Sequence, residues 1–246
     1  MFPRPRQTNT LSTMLHPALT GARACIFDAG GTLVHPDWSR LARIAHDVSG
    51  RSFESIEMSR AFGEMLKAVG VEMQREGFVL PEEMKRPHWT FRRVYRALGL
   101  DEIACSDAIE RVSAAHLERH VWCGVDQDVP GILAELRRHG LAVAVISNTE
   151  DGRLIDSLAA AGIADSFDLM IDSHVVGLRK PDPEIFQLAL QRLELEAGEA
   201  AYVGDSYVHD ALAAQAVGLT GILLDPLDLH PDSVCPRIKS LAELLG

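Results

Sequence analysis

The sequence predicts an α/β protein: a parallel-sheet core with a helical cap domain inserted near its start. Three observations lead there. Beyond about residue 124, short apolar runs alternate with amphipathic stretches, as parallel strands and their crossover helices do. Between Asp37 and about His120 the apolar residues recur at helical spacing, with no convincing strand. Each candidate strand of the alternating part stops at a short polar signature.

Taken in order, residues 1–20 are rich in Pro, Thr and Ser and predict a disordered tail. They carry Arg4 and Arg6 but no continuous apolar core of a secretory signal. Met14 is an alternative start, and an organelle transit peptide stays open. Ala22 to Phe27 is a short apolar run before glycines, so it reads as a buried strand entering a tight loop. Trp38, Leu41, Ile44, Ala45 and Val48 then mark a helix. Ile56, Phe62, Met65, Leu66 and Val69 mark a second, and Phe91, Val94, Tyr95 and Leu98 a third. Ile109, Val112, Ala115 and His116 mark a fourth. The alternation follows: helix from Pro130 to His139, strand from Leu141 to Ile146, helix from Leu154 to Ala161, strand from Phe167 to Ile171. A helix over Pro183–Leu193 has Asp182 as N-cap and Pro183 in its first position. Ala201–Val203 reads as a strand, Asp210–Val217 as a helix, Ile222–Leu224 as a strand, with a short helix near Leu241. The expected architecture is a Rossmann-like core of residues 21–35 and 124–246, with residues 36–123 as the cap. Ligands of such sheets bind beyond the carboxyl ends of the strands.

A chain of 246 residues is long enough for a core plus an insert. Lys plus Arg number 24 against 35 for Asp plus Glu, a formal net charge of −11, which argues against a general nucleic-acid binder. An anionic substrate then needs a local positive focus or a metal ion. Cys25, Cys105, Cys123 and Cys235 form no Cys-x-x-Cys pair, so they are expected to be reduced thiols of a cytoplasmic protein. No apolar run is long enough for a transmembrane helix, so no membrane partner is expected.

The polar signatures carry the chemistry. The first strand ends in Asp28-Ala29-Gly30-Gly31-Thr32-Leu33 and the second in Ser147-Asn148. A loop after the third holds Gly177-Leu178-Arg179-Lys180-Pro181-Asp182, and the fourth ends in Gly204-Asp205-Ser206, with Asp210 following. Parallel strands point the same way, so these signatures are expected at one sheet edge. Asp28 and Asp205 would repel unless a cation sat between them; a hard ion with oxygen ligands fits, Mg²⁺ being usual with phosphates. Asp28 is a possible carboxylate nucleophile. Lys180 supplies positive charge, and Ser147 with nearby backbone N–H groups can hold a phosphate.

In order and position these signatures resemble the motifs of the haloacid dehalogenase superfamily, D-x-x-G-T-L, S-N after an apolar run, K-P-D-P and G-D-S-x-x-x-D. The resemblance runs from about Ala22 to the C-terminus, and the helical insert is similar to that family's cap. It implies a Mg²⁺-dependent phosphatase acting on a small phosphorylated metabolite. Asp28 would be nucleophile and metal ligand, and the Gly30 carbonyl, Asp205 and Asp210 would serve the metal. Ser147, Asn148 and Lys180 would hold the phosphate, with Ser147 and Lys180 assisting catalysis.

One departure matters. Phosphatases of this family usually carry a second Asp, the general acid and base, two residues after the nucleophile, where this chain has Gly30. A backbone metal contact survives that change; proton transfer, typically worth about 10²–10⁴ in rate, does not. Three readings stay open: a phosphatase slowed or served by another acid (His35 or Asp37) or favouring good leaving groups; a phosphonatase-like enzyme needing a cap lysine, Lys67 or Lys85; and an impaired phosphate-binding or interaction protein. A true dehalogenase fits less well, since that branch has Tyr at this position and needs no metal. Arg86, Arg92, Arg93 and Arg96 read as a solvated helix face. Trp38, Trp89 and Trp122 read as core or hinge packing, and His209 and Tyr207 as facing the site entrance. His116 and His120 have zinc-like spacing but no evident third ligand, and so read as structural.

Overall fold

A computed structural model describes residues 14–75 and 86–246. The chain runs through β1 (Ala24–Phe27), β2 (His35–Pro36), α1 (Trp38–Ser49), α2 (Ser55–Arg75), α3 (Trp89–Ala97), α4 (Glu102–Glu118) and β3 (Trp122–Gly124). It continues through α5 (Val129–Arg138), β4 (Ala142–Ser147), α6 (Leu154–Ala160), β5 (Leu169–Asp172), α7 (Ser173–Val176), α8 (Pro183–Leu193) and β6 (Ala200–Gly204). A π-helix at Tyr207–Leu212 leads into α9 (Ala213–Ala216), followed by β7 (Thr220–Leu224), β8 (Arg237–Ile238) and a 3₁₀ turn at Leu241–Leu245.

The sheet has the order β5-β4-β1-β6-β7-β8, with every pair parallel. β1, β4 and β6 are almost wholly buried because both sheet faces are covered, which is why they read as continuous apolar runs. On one face Phe27, Val143, Val145 and Val203 pack against Ile132, Leu133 and Leu136 of α5 and Leu244 of the closing turn. On the other, Ile26, Ala144, Ile146 and Tyr202 meet Ile185, Phe186 and Ala189 of α8. Each fully buried large side chain contributes about 1.5–3 kcal/mol by area. Asp182 caps α8 by accepting from the Glu184 N–H, with Pro183 in the first turn, as its sequence predicts.

α1 to α4 enclose a core of their own, built from Leu41, Met58, Phe62, Phe91, Val94 and Val112. Asp37 caps α1, Gly50 ends it in a left-handed turn, and Asp101 caps α4. β2 and β3 form an antiparallel ribbon where the chain leaves and re-enters the sheet domain. Trp122 of that ribbon packs against both hydrophobic cores.

The structure differs from the sequence expectations in several places, the β2–β3 ribbon among them. Of the expected tail, residues 1–13 lie outside the described residues, but Pro17–Leu19 form a 3₁₀ turn with Leu19 buried, held by a His16 N–H to Leu244 carbonyl bond of 2.9 Å. The helix expected from Asp210 begins as a π-helix, because the Ser206 carbonyl accepts from both Asp210 N–H and Ala211 N–H. β8 and α7 carry too few residues to show a periodicity.

Candidate active site

The sheet order sets β1 between β4 and β6, so the loops leaving all three meet. Asp28 follows β1 directly, its N–H bonded to the Val203 carbonyl at 2.8 Å. The turn after it is tight: the Ala29 carbonyl accepts from the N–H groups of Thr32, Leu33 and Val34. Gly31 has φ +91°, and a Cβ there would stand 2.0 Å from Asp205 Oδ2. A Cβ at Gly204 would stand 2.4 Å from Asp210. Glycine at these two positions therefore gives both carboxylates room to reach the turn.

Lys180 is the hub. It is 2% exposed, and its ammonium donates to Asp28 Oδ1 at 2.5 Å, Asp210 Oδ1 at 2.7 Å and the Tyr202 hydroxyl at 2.8 Å. All three of its protons are thereby used. The Asn148 side chain clasps the Lys180 backbone, donating to its carbonyl at 2.8 Å and accepting from its N–H at 2.9 Å. Asn148 thus positions the lysine loop. Asp210 has both oxygens occupied, Oδ1 by Lys180 and by Tyr202 at 3.1 Å, Oδ2 by the Ser206 N–H at 3.0 Å. Ser147, at the end of β4, lines the cavity above Asp28.

Burial raises the Asp28 carboxyl to about 6, with Asp210 adding to the rise and Lys180 opposing it. Burial and the charges of Asp28 and Asp210 push Asp205 well above the usual carboxylate range. Burial alone would lower Lys180, but Asp210 and Asp28 outweigh it and hold its pKa above the ordinary value. Oxygens of Asp28, Asp205 and Asp210 lie within 4.8 Å of one another. A hard, oxygen-only donor set with an excess of negative charge fits Mg²⁺.

Above this floor lies a cavity of about 490 Å³. Its apolar wall includes Phe62, Trp89, Phe91 and Trp122 from the cap, and its polar wall includes His88, His116, His120, Asp151 and Arg179. Trp122 covers Gly30: a Cβ there would meet its Cζ3 at 3.1 Å and Cε3 at 3.3 Å. The indole is wedged against Phe62 and Phe91, at ring separations of 5.7 and 5.6 Å.

The family model of the haloacid dehalogenase-like hydrolases matches residues 22–218. The chain belongs to this family. Haloacid dehalogenase-like hydrolase domain-containing protein 3 of Bos taurus is 39% identical over 239 residues, covering 91% of this chain and 92% of that protein. The Mus musculus protein of that name is 44% identical over 115 residues, 45% of its length. The phosphoglycolate phosphatase of Pectobacterium atrosepticum is 28% identical over 236 residues, covering 93% and 94% of the two chains. Among solved structures, the magnesium-bound putative HAD-hydrolase YfnB of Bacillus subtilis matches with a TM-score of 0.66 at 18% identity, over 91% of this chain and 96% of that one. That likeness shows the shared fold, and dehalogenases stand among the structural neighbours too.

Several residues weighed from the sequence fall outside this HAD-like site. His35 pairs with Asp126 at 3.5 Å and Asp37 is occupied as the α1 cap, so neither lines the cavity as a substitute acid. His209 does line it, but burial lowers its pKa to about 4, so it is neutral at pH 7. Tyr207 turns away to stack on His230, its hydroxyl accepting from the Val234 N–H. Lys67 donates to the Leu229 carbonyl at 2.7 Å outside the cavity, and Lys85 lies outside the described residues. Arg92 and Arg96 pair with Glu102 and Arg93 with Glu72; Arg96 is exposed, whereas Arg92 and Arg93 are partly buried rather than on a solvated face. The sequence reading missed Tyr202, whose signal was a lone hydroxyl inside an apolar strand. It also missed the seat of Trp122 over Gly30, which no local pattern reveals.

Proposed function

We propose that this chain is a metal-dependent phosphatase acting on a small phosphomonoester through an aspartyl-phosphate at Asp28. The observation that carries the reading is the buried convergence of Asp28, Lys180 and Asp210, with Asp205 beside them, on the floor of a cavity with one apolar and one polar wall. Asp28 and Asp205 would hold Mg²⁺ directly, with the Gly30 carbonyl, while Asp210 supports Lys180. When bound, that ion supplies the positive charge that the carboxylates lack.

Asp28 attacks phosphorus, the P–O bond to the leaving group breaks, and water then cleaves the acyl phosphate to return the carboxylate. Lys180 keeps Asp28 ionised despite its burial and neutralises charge on the phosphoryl oxygens. Ser147 donates its hydroxyl to a phosphoryl oxygen. Arg179 on the cavity wall has an Nε without a hydrogen-bond partner, which suits a negatively charged substrate. With glycine at position 30 and Trp122 above it, nothing there protonates the leaving oxygen. Substrates with good leaving groups, acyl or aryl phosphates, are favoured.

The covering of Gly30 by Trp122 also supports a second reading, an impaired phosphate-binding protein of the same fold. Phosphate release from a panel of phosphomonoesters, acetyl phosphate and phosphonoacetaldehyde, with Mg²⁺ and with EDTA, separates the two. Metal-dependent turnover lost in Asp28→Asn supports the phosphatase; absence of turnover on every substrate rejects it in favour of the binding protein.

A further inference from the structure

The cap side of the cavity holds a second cluster of ligating groups that phosphoryl transfer does not use. His116 and His120 share the spacing noted in the sequence, but helical geometry is not what joins them. α4 ends at Glu118 and Arg119 is extended, at φ −154° and ψ 132°, so the chain bends to bring the two rings to a centroid separation of 4.3 Å. The third group comes from the core: Asp151, beyond β4, has Oδ2 3.0 Å from His116 Nε2. One ligand atom from each of the three lies within 4.8 Å of the others. A third imidazole, His88, has its ring 5.4 Å from that of His116. His88 is a non-glycine residue in the left-handed region, at φ 55° and ψ 28°, and its N–H donates to Glu150 Oε2 at 2.7 Å. Backbone conformations of that kind persist only where surrounding contacts enforce them.

We propose that His116, His120 and Asp151 form a second metal site, for a borderline transition ion such as Zn²⁺, distinct from the carboxylate cluster at Asp28 and joining the cap to the core. Two imidazoles and a carboxylate are a zinc donor set, with His88 or water as the fourth ligand, whereas Mg²⁺ prefers the all-oxygen cluster. Tetrahedral ligands at about 2.0–2.1 Å stand roughly 3.3 Å apart. The His116–Asp151 pair, at 3.0 Å, already has nearly that separation, and a ligand atom of His120 lies within 4.8 Å of both. His120 Nδ1 lies 3.2 Å from the Trp122 carbonyl and 3.3 Å from the Trp122 N–H; in the tautomer that donates to the carbonyl, the N–H contact is given up and Nε2 is left to ligate. At His116 the ion takes the place of the Nε2 proton that faces Asp151. That proton moves to Nδ1, which gives up a long bond of 3.3 Å from the Val121 N–H.

The test is direct and independent of turnover. Zn²⁺ is titrated into metal-stripped protein in excess Mg²⁺ against a chromophoric competing chelator. Circular dichroism checks that each variant is folded. The expected result is one tightly held Zn²⁺, retained in Asp205→Asn and weakened at least roughly tenfold in His120→Gln and in Asp151→Asn. Zinc-edge X-ray absorption then reports nitrogen ligands. No tight binding overturns the proposal. So does Zn²⁺ held equally well by the folded His120→Gln and Asp151→Asn proteins, or lost only in Asp205→Asn, which would assign the ion to the carboxylate cluster.

Discussion

Restoring the missing acid by Gly30→Asp alone is expected to fail, because the space for it is filled. Position 30 does not have the left-handed backbone that disfavours side chains, so the chain itself accepts an aspartate. The obstacle is the indole: the new Cβ would stand 3.1 Å from Trp122 Cζ3. Trp122 cannot easily yield, held by Phe62 and Phe91 on its ring and by the Ser157 hydroxyl on its carbonyl at 2.8 Å. A carboxylate forced against that ring is also poorly solvated. Gly30→Asp should therefore change kcat on an alkyl phosphate by less than about tenfold, out of the 10²–10⁴ that a placed acid typically gives. Gly30→Asp combined with Trp122→Leu should gain about 10²-fold over Trp122→Leu alone, about 2.7 kcal/mol in the barrier, so with less than about tenfold from Gly30→Asp alone the coupling is at least about 1.4 kcal/mol. The assay is steady-state kcat with Mg²⁺ on an alkyl phosphate and on 4-nitrophenyl phosphate, whose leaving group needs no proton. The gain should be confined to the alkyl ester. A full gain in Gly30→Asp alone would refute the steric argument. No gain in the double variant, with Asp28→Asn inactive on both substrates, would show that the acid is not what limits the enzyme.

Lys180→Met should lower stability by about 3–5 kcal/mol in metal-free buffer, since it leaves Asp28 and Asp210 buried without their counter-charge; an unchanged denaturation midpoint contradicts this. Gly31→Ala should abolish Mg²⁺-dependent turnover while the fold persists, because its Cβ displaces Asp205; wild-type turnover would mean Asp205 is dispensable. Asp225→Asn should cost about 1–3 kcal/mol at pH 7. Burial alone would raise Asp225, but the N–H groups of His230 and Leu229 and the Arg237 guanidinium outweigh it and hold its pKa below the ordinary 3.8. A depressed carboxyl stabilises above its unfolded value, so the gap between the proteins should hold above pH 3.8 and close as pH falls below it; a gap that widens in acid is the opposite outcome.

The floor of the site was legible because it is built from strand ends. A strand's carboxyl end is a local feature, and the parallel rule then places Asp28, Ser147 and Asp205 together without knowledge of long-range contacts. Lys180 was legible as a residue type in a motif, though not as the partner of Tyr202, since a strand hydroxyl shows neither its direction nor its neighbour. The roof was not legible. Trp122 sits over Gly30 although the two are 92 positions apart in the chain, and Asp151 reaches His116 across the cap–core boundary. Contacts of that separation leave no periodicity or cap signal. The same applies to Asn148, whose amide is occupied with Lys180 thirty-two residues on.

The proposed metal requirement rests on charge and burial together. At the floor, the three carboxylates of Asp28, Asp205 and Asp210 face the single ammonium of Lys180. With all three ionised, two negative charges would be left uncompensated in a buried place; burial first, and the neighbouring carboxylates after it, raise Asp28 to about 6 and Asp205 well above the usual carboxylate range. A proton on Asp28 would quench its nucleophilicity, and an incoming phosphate would add more negative charge to the same space. A divalent ion held there would remove both obstacles: the carboxylates would be balanced without a proton on Asp28, and the phosphoryl oxygens would gain a positive partner. Proton uptake and metal binding therefore compete for this site. Raising the pH toward neutrality should tighten Mg²⁺ binding in the wild-type protein, and Asp205→Asn, which removes one of the carboxylates that would hold the ion, should weaken it; equal Mg²⁺ affinity at low and neutral pH would contradict the competition.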